Sequence, residues 1–281
     1  MALGGNPVFA NNKNFKDTPS GKGGYLTGGT DTMSGQAQFS AAQLQDMYSK
    51  PSANASQTGR MSYDDVIMKT VFTLGLVLVG AALGWIVPVL MWPGMIVGLV
   101  LGLVNSFKKE PSPALILAYA LFEGMFLGGI SGLLEQSFPG IVVQALLGTL
   151  SVFVVTLVLF RNAKVRATPK MTRFFMIALA GYALFSLVNF FLMIFNVTTT
   201  PWGVNGMDIP GTNIPFGVVI GLLAIGLAAF SLIVDFTSIE QGVQRGLPAK
   251  YSWTAAFGLT VTLVWLYVEI LRLLAILRGN D

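Results

Sequence analysis

The sequence predicts an all-α membrane protein with seven transmembrane helices, and three observations predict it. Hydrophobic residues make up 53% of the 281 residues and charged ones only 11%. Soluble domains carry roughly 25% charged residues, so this chain has too few to cover a water-facing surface. Several charge-free runs exceed the ~20 residues that a helix needs to cross a bilayer. Lysine and arginine also fall in alternate connections only: Lys108 and Lys109, then Arg161, Lys164, Arg166, Lys170 and Arg173, then Arg245 and Lys250. The connections between them, 91–94, 134–138 and 197–213, hold none. The positive-inside rule places the N-terminus and the three basic connections in the cytoplasm and, with seven spans, the C-terminus outside.

Residues 1–60 form a polar tail, rich in Gly, Asn, Ser, Thr and Gln. Such a stretch buries too little apolar area to offset its ordering entropy, so disorder is expected, with a short helix near 41–47 capped by Ser40. No basic start leads into an apolar run, so a secretory signal is not expected here. The transmembrane domain is expected over 61–281. Ser62 suits an N-cap, and Asp64 and Asp65 fall in the first turn, where the helix dipole favours negative charge. The 38 residues from Thr70 to Phe107 are uncharged, too long for one helix. Trp92-Pro93-Gly94 is the expected break, giving helix 1 over 66–90 and a short helix 2 over 95–107. Helices 3 to 7 are expected over 113–133, 139–160, 172–196, 214–236 and 253–277. Small-xxx-small spacings at Gly80 and Gly84, and at Gly124 and Gly128, let helices approach closely.

The chain has no cysteine and no histidine. That removes disulfides, thiol catalysis, Ser-His and Cys-His nucleophiles, and His-ligated zinc. No enzyme activity and no resident cofactor are expected. The net charge of +4 follows membrane topology and does not point to nucleic acid.

What remains is carboxylate chemistry inside the membrane. Acids there are expensive, usually face a protein interior or water, and mark functional sites by default. Asp235 closes a run of 26 uncharged residues, 209–234, near the expected end of helix 6. Glu269 follows 18 uncharged residues, 251–268, deep in helix 7. Arg272 lies three residues on, so a buried ion pair with Glu269 competes with a functional role. Glu123 lies mid-helix beside Gly124 and is an accessory candidate; Glu240 reads as a loop or surface acid. If Asp235 and Glu269 meet in a low-dielectric cavity, both cannot ionise cheaply and they titrate as a unit. Protonated, they would tie helices 6 and 7 together. Deprotonated, they would repel or hold a hard cation such as Ca²⁺ through oxygens.

Phe-Ser-Leu-Ile-Val-Asp-Phe-Thr-Ser-Ile-Glu at 230–240, Leu-Tyr-Val-Glu-Ile-Leu-Arg-Leu-Leu at 266–274, and Phe-Glu-Gly-Met-Phe-Leu-Gly at 122–128 resemble the Bax inhibitor-1 family. This is also called the transmembrane Bax inhibitor motif family, which includes a bacterial YccA-like branch, and the chain resembles that branch. The resemblance spans about residues 62–277. It implies a seven-helix bundle with the last helix central, in a bacterial plasma membrane. It also implies a pH-sensitive calcium leak governed by two acids, which fall here on Asp235 and Glu269. Better-known members carry Asp at the second position, one methylene shorter. The helix 6–7 connection also looks longer here, with Gly-Leu-Pro at 246–248.

The leading functional expectation is a Ca²⁺ leak gated by that pair. The alternative is an interaction protein that modulates a membrane-bound protease or stress and cell-death machinery, with the tail as docking arm. An intramembrane aspartyl protease fits poorly, because no Gly-x-Gly-Asp precedes the second acid, which is Glu. A secondary transporter finds no convincing inverted repeat.

Overall fold

The computed structural model describes residues 59–162, 166–198 and 200–279. The expected tail and its short helix at 41–47 lie outside the described residues, apart from Gly59 and Arg60. Among the described residues seven helices are long and apolar enough to span a membrane, the second counted from Pro88 and the seventh from Ala249 with the short 3₁₀ turns that lead into them: α1 Tyr63–Ile86, α2 Met91–Phe107, α3 Pro113–Ser137, α4 Ile141–Arg161, α5 Pro169–Ile194, α6 Phe216–Gln244 and α7 Ser252–Arg278. This is the predicted fold class, and the protein is an integral membrane protein.

The helix starts follow from local chemistry. Ser62 accepts a bond from the Asp65 amide at 3.2 Å, capping α1 as expected. Thr168 does the same for α5 through Met171 N at 3.3 Å, and Pro113 and Pro169 stand first in α3 and α5, where a missing N–H does no harm. The break between α1 and α2 differs from expectation. It falls at Pro88, which turns Val87 out of the helical region (φ −124°, ψ 82°) and opens a 3₁₀ turn, Pro88–Leu90. Trp92-Pro93-Gly94 instead lies in the first turn of α2, whose amides have no intrahelical acceptor to lose.

The end of α6 also differs. The helix does not stop near 236 but continues to Gln244. Thr237 and Ser238 look like the start of polar chain, yet their hydroxyls bond back to the Ile233 and Val234 carbonyls at 2.7 and 2.8 Å. So satisfied, both are buried inside the bundle.

Packing sets two regimes. In the first, α1 and α3 press together along glycines. Gly80 and Gly84 face the Leu121 and Met125 carbonyls, while Gly124 and Gly128 face those of Val77 and Ala81. Gly75, by contrast, has open space where a Cβ would stand. In the second, α7 is buried nearly all round and packs on α1, α3, α4 and α6. It is the central helix. Peripheral α5 fully buries only Thr172, Phe175 and Asn189, while Tyr182 and Phe185 are among its partly buried residues that reach the bundle.

The three basic connections and the start of α1 meet at one end of the bundle. Lys69 donates to the Ala249 carbonyl at 3.1 Å, Lys250 pairs with Glu110 at 2.9 Å, and Arg166 pairs with Glu240 at 3.3 Å. The chain just before α1 is tied to the α6–α7 connection. Met61 N donates to Leu247 O at 2.6 Å and Ala249 N to Gly59 O at 2.8 Å, with the Met61 side chain only 1% exposed. At the opposite end Glu135 accepts bonds from the amides of Gly140 and Val142 at 2.6 and 3.0 Å, closing the tight α3–α4 turn, where Gly140 takes φ 83°. Arg278 donates to Pro139 O at 2.9 Å, which gives an arginine at the end of α7 a local partner.

Candidate functional site

The candidate site lies between α6 and α7. Because α6 runs nine residues past Asp235, this acid is not at the end of its helix but well inside it, and it is fully buried. Glu269 is 3% exposed on the central helix. Two carboxylates thus sit inside a bundle whose outer faces are apolar.

Their described bonds run to different partners. Asp235 Oδ2 accepts from the Thr262 hydroxyl of α7 at 2.7 Å. Thr262 Oγ1 in turn lies 3.4 Å from Ser231 Oγ, one turn before Asp235 on α6. Other buried hydroxyls nearby, such as Thr260, bond to their own helix at i−4. Ser231, Thr262 and Asp235 instead form a polar seam across the α6–α7 interface.

Glu269 is the centre of a second cluster. Oε1 accepts from the Tyr182 hydroxyl of α5 and from Trp265 Nε1, the latter at 3.0 Å. Oε2 pairs with Arg272, whose guanidinium also donates to the Tyr182 oxygen at 3.1 Å. The buried Arg272 Nε has no hydrogen-bond partner among the described residues. Thr262 and Glu269 are seven residues apart, so they share a face of α7 but are separated by roughly 10 Å of helix rise.

The bonds described here thus give each acid partners of its own. Asp235 is held at the Thr262 level. Glu269 makes the i,i+3 pair with Arg272 that competed with a functional role and, through Tyr182, also ties α5 to the centre. The physical reason is donor supply: a carboxylate in low dielectric takes the nearest cation and hydroxyls before it approaches another acid.

The remaining candidates fall elsewhere. Glu123 points toward α2, where a Cβ at Gly98 would come within 2.8 Å of its Oε2, and so lies apart from the Ser231–Thr262–Asp235 seam. Glu240 is not a loop residue: it lies on α6, half-buried, paired with Arg166. Arg166 also stacks over the Phe160 ring at 3.8 Å, which pins the α4–α5 connection to the bundle. Among the described residues no three acids gather around one metal position. Sequence reasoning missed Thr262, Tyr182 and Trp265. Thr262 carried a faint signal, since it stands on the Glu269 face of α7; Tyr182, on another helix, carried none.

Fold and site together define a seven-helix membrane protein with carboxylates sealed into its centre. The Bax inhibitor 1 like family model matches residues 6–279, nearly the whole chain, and the chain belongs to that family. The match is wider than the 62–277 expected from the helix motifs and takes in most of the polar N-terminal stretch. No curated protein matches the chain.

Proposed function

We propose that this protein is a cation leak, with Ca²⁺ as the cation in question, whose conduction depends on pH through Asp235 and Glu269. The observation that carries the reading is the complete burial of Asp235 at a hydroxyl seam between the central helix and its neighbour. A bundle does not gain stability from an acid placed there, and desolvation alone argues against it. An acid that titrates there changes the charge of the bundle interior by one unit.

In this reading the two acids act at two levels. Asp235, deprotonated, offers negative charge and oxygens to a passing cation, with Thr262 and Ser231 as further oxygen ligands; protonated, it offers neither charge nor attraction. Ca²⁺ takes six to eight oxygens, so the seam supports transit with water and does not support a resident metal. Glu269 and Arg272 form a latch that holds α5 to the centre through Tyr182. The basic end faces the cytoplasm, as the alternation of loop charge suggests.

The sign follows from the charges. Conduction rises as pH rises through the titration of Asp235. Asp235→Asn mimics the protonated acid, so its flux stays at the low, acidic level at every pH. The test is Ca²⁺ flux into dye-loaded proteoliposomes at acidic and alkaline pH, for wild type, Asp235→Asn and Glu269→Gln. Flux that is the same in all three and at both pH values would falsify the reading.

A further inference from the structure

One acid deep within the helices has no part in the cation reading. Glu123 stands ten residues after Pro113 in the 25-residue α3, so roughly 15 Å of helix rise separates it from the basic end of the bundle. Its side chain is half-buried and turned to α2. That helix presents its buried Gly94, Gly98 and Asn105 to α3, where they meet Phe126, Glu123 and Leu115 in turn. A Cβ at Gly98 would stand 2.8 Å from the Glu123 Oε2, so this carboxyl oxygen lies against bare backbone.

No countercharge reaches it from any described residue. Among the described residues Glu123 makes no hydrogen bond and no ion pair. The helix α2 holds no titratable side chain, and those of α1, Tyr63, Asp64, Asp65 and Lys69, all fall in its first two turns. On α7 the titratable side chains begin at Tyr267; at this junction α7 contributes Phe257, edge-on to Tyr119 with ring centroids 5.0 Å apart. Tyr119, one turn before Glu123 on α3, is the titratable neighbour within electrostatic reach. It is 5% exposed, and its hydroxyl has no hydrogen bond among the described residues either. A carboxylate so placed would carry its charge without a cation or a bonded donor, which is far costlier than burying the neutral acid.

We propose that Glu123 is a proton-binding site in the core of the membrane domain, holding its proton at neutral pH and releasing it at alkaline pH. The proton is the ligand. The site works apart from the Asp235 seam and the Glu269 cluster, so it stands whether or not the cation reading does. Occupied, it lets a neutral carboxyl sit on the Gly98 backbone. Emptied, it sets a charge between α2 and α3, and α2, which packs mainly on α3, loosens.

A lipid-soluble carbodiimide reads the proton directly, because only the protonated acid reacts. The acid adds across one C=N bond of dicyclohexylcarbodiimide: its oxygen bonds to the central carbon and its proton goes to the nitrogen. Acyl migration to nitrogen then leaves a stable acylurea, heavier by the whole reagent. Full-length protein in phosphatidylcholine vesicles is treated with this reagent or with a water-soluble carbodiimide, and adducts are located by peptide mass spectrometry. A glutamate in water is protonated only about once in 500 at neutral pH, so Glu123 should carry at least about tenfold more adduct than the exposed Glu110. The adduct should fall by about tenfold or more at alkaline pH, as the proton leaves. It should be absent from Glu123→Gln, whose folding is confirmed by thermal unfolding, and should not form with the water-soluble reagent. Amide hydrogen exchange in α2, corrected for the intrinsic effect of pH, should quicken at alkaline pH in wild type and not in Glu123→Gln. Adduct no greater at Glu123 than at Glu110 overturns the proposal, as does adduct that persists at alkaline pH or equal labelling by the water-soluble reagent. Exchange in α2 that responds to pH alike in the two proteins overturns the part assigned to that helix.

Discussion

Removing the Arg272 side chain tests whether the Glu269 cluster is there for stability or for function. In Arg272→Met, Glu269 keeps Tyr182 and Trp265 as donors but loses its only described cation. Breaking a buried pair from one side is worth about 3–5 kcal/mol, because a charge is left uncompensated. Arg272 is 21% exposed, and two neutral donors remain, so the lower end, about 3 kcal/mol, applies. The triple variant Tyr182→Phe, Glu269→Met, Arg272→Met removes every charge and the hydroxyl together. It leaves only Trp265 Nε1 without its acceptor, a loss of about 1 kcal/mol, and relieves the unpartnered Arg272 Nε. The triple variant should therefore be more stable than the single one by about 2 kcal/mol, since buried pairs replaced whole by apolar groups are often neutral. Denaturant-induced unfolding in detergent micelles, followed by circular dichroism, measures both. Proteoliposome flux of the triple variant then supplies the functional half: a folded bundle without the latch should no longer leak with wild-type pH dependence. If Arg272→Met unfolds at the wild-type midpoint, the buried-charge reasoning is refuted. If the triple variant is stable and leaks as wild type does, Glu269 has no part in gating.

Two further outcomes follow from the packing. Gly128→Leu should destabilise by about 3 kcal/mol or more, because even its Cβ would meet the Ala81 backbone at 2.6–2.7 Å and the α1–α3 pair must part. Gly75→Ala, in open space, should instead be neutral or stabilising by up to about 1 kcal/mol from helix propensity; the same unfolding assay compares them, and equal effects would contradict the close α1–α3 glycine contact. Met61→Ala should lower stability by about 2–4 kcal/mol, since a side chain 1% exposed leaves a cavity against the α6–α7 connection. Limited proteolysis should then cut near residues 59–62, and unchanged protection there would show that this contact does not hold the start of α1.

Much of the fold was legible because a bilayer leaves few options. A chain that must satisfy its backbone in hydrocarbon makes helices, and the run lengths and alternating Lys and Arg counted seven of them. Boundaries failed where polarity misled. Thr237 and Ser238 look like an exit from the membrane, yet hydroxyls that return to their own helix can be buried, so α6 runs on. Pro88 outweighed Trp92-Pro93-Gly94 because a proline breaks a helix at the residue before it and is harmless in a first turn. The acids were found from their cost alone. Their partners were not, because partners depend on how helices are rotated and on which neighbour comes alongside.

By itself, then, the sequence determined that this is a seven-span membrane protein, and it singled out Asp235 and Glu269 as acids within the spans. Composition and charge order suffice for that, since each residue's transfer cost from water to hydrocarbon is local to the residue. Only the tertiary structure decided that Asp235 meets Thr262 while Glu269 meets Arg272, Tyr182 and Trp265. Those contacts join residues up to 90 positions apart, and close packing of the helices, not any local preference, sets which polar atoms come within reach of each acid.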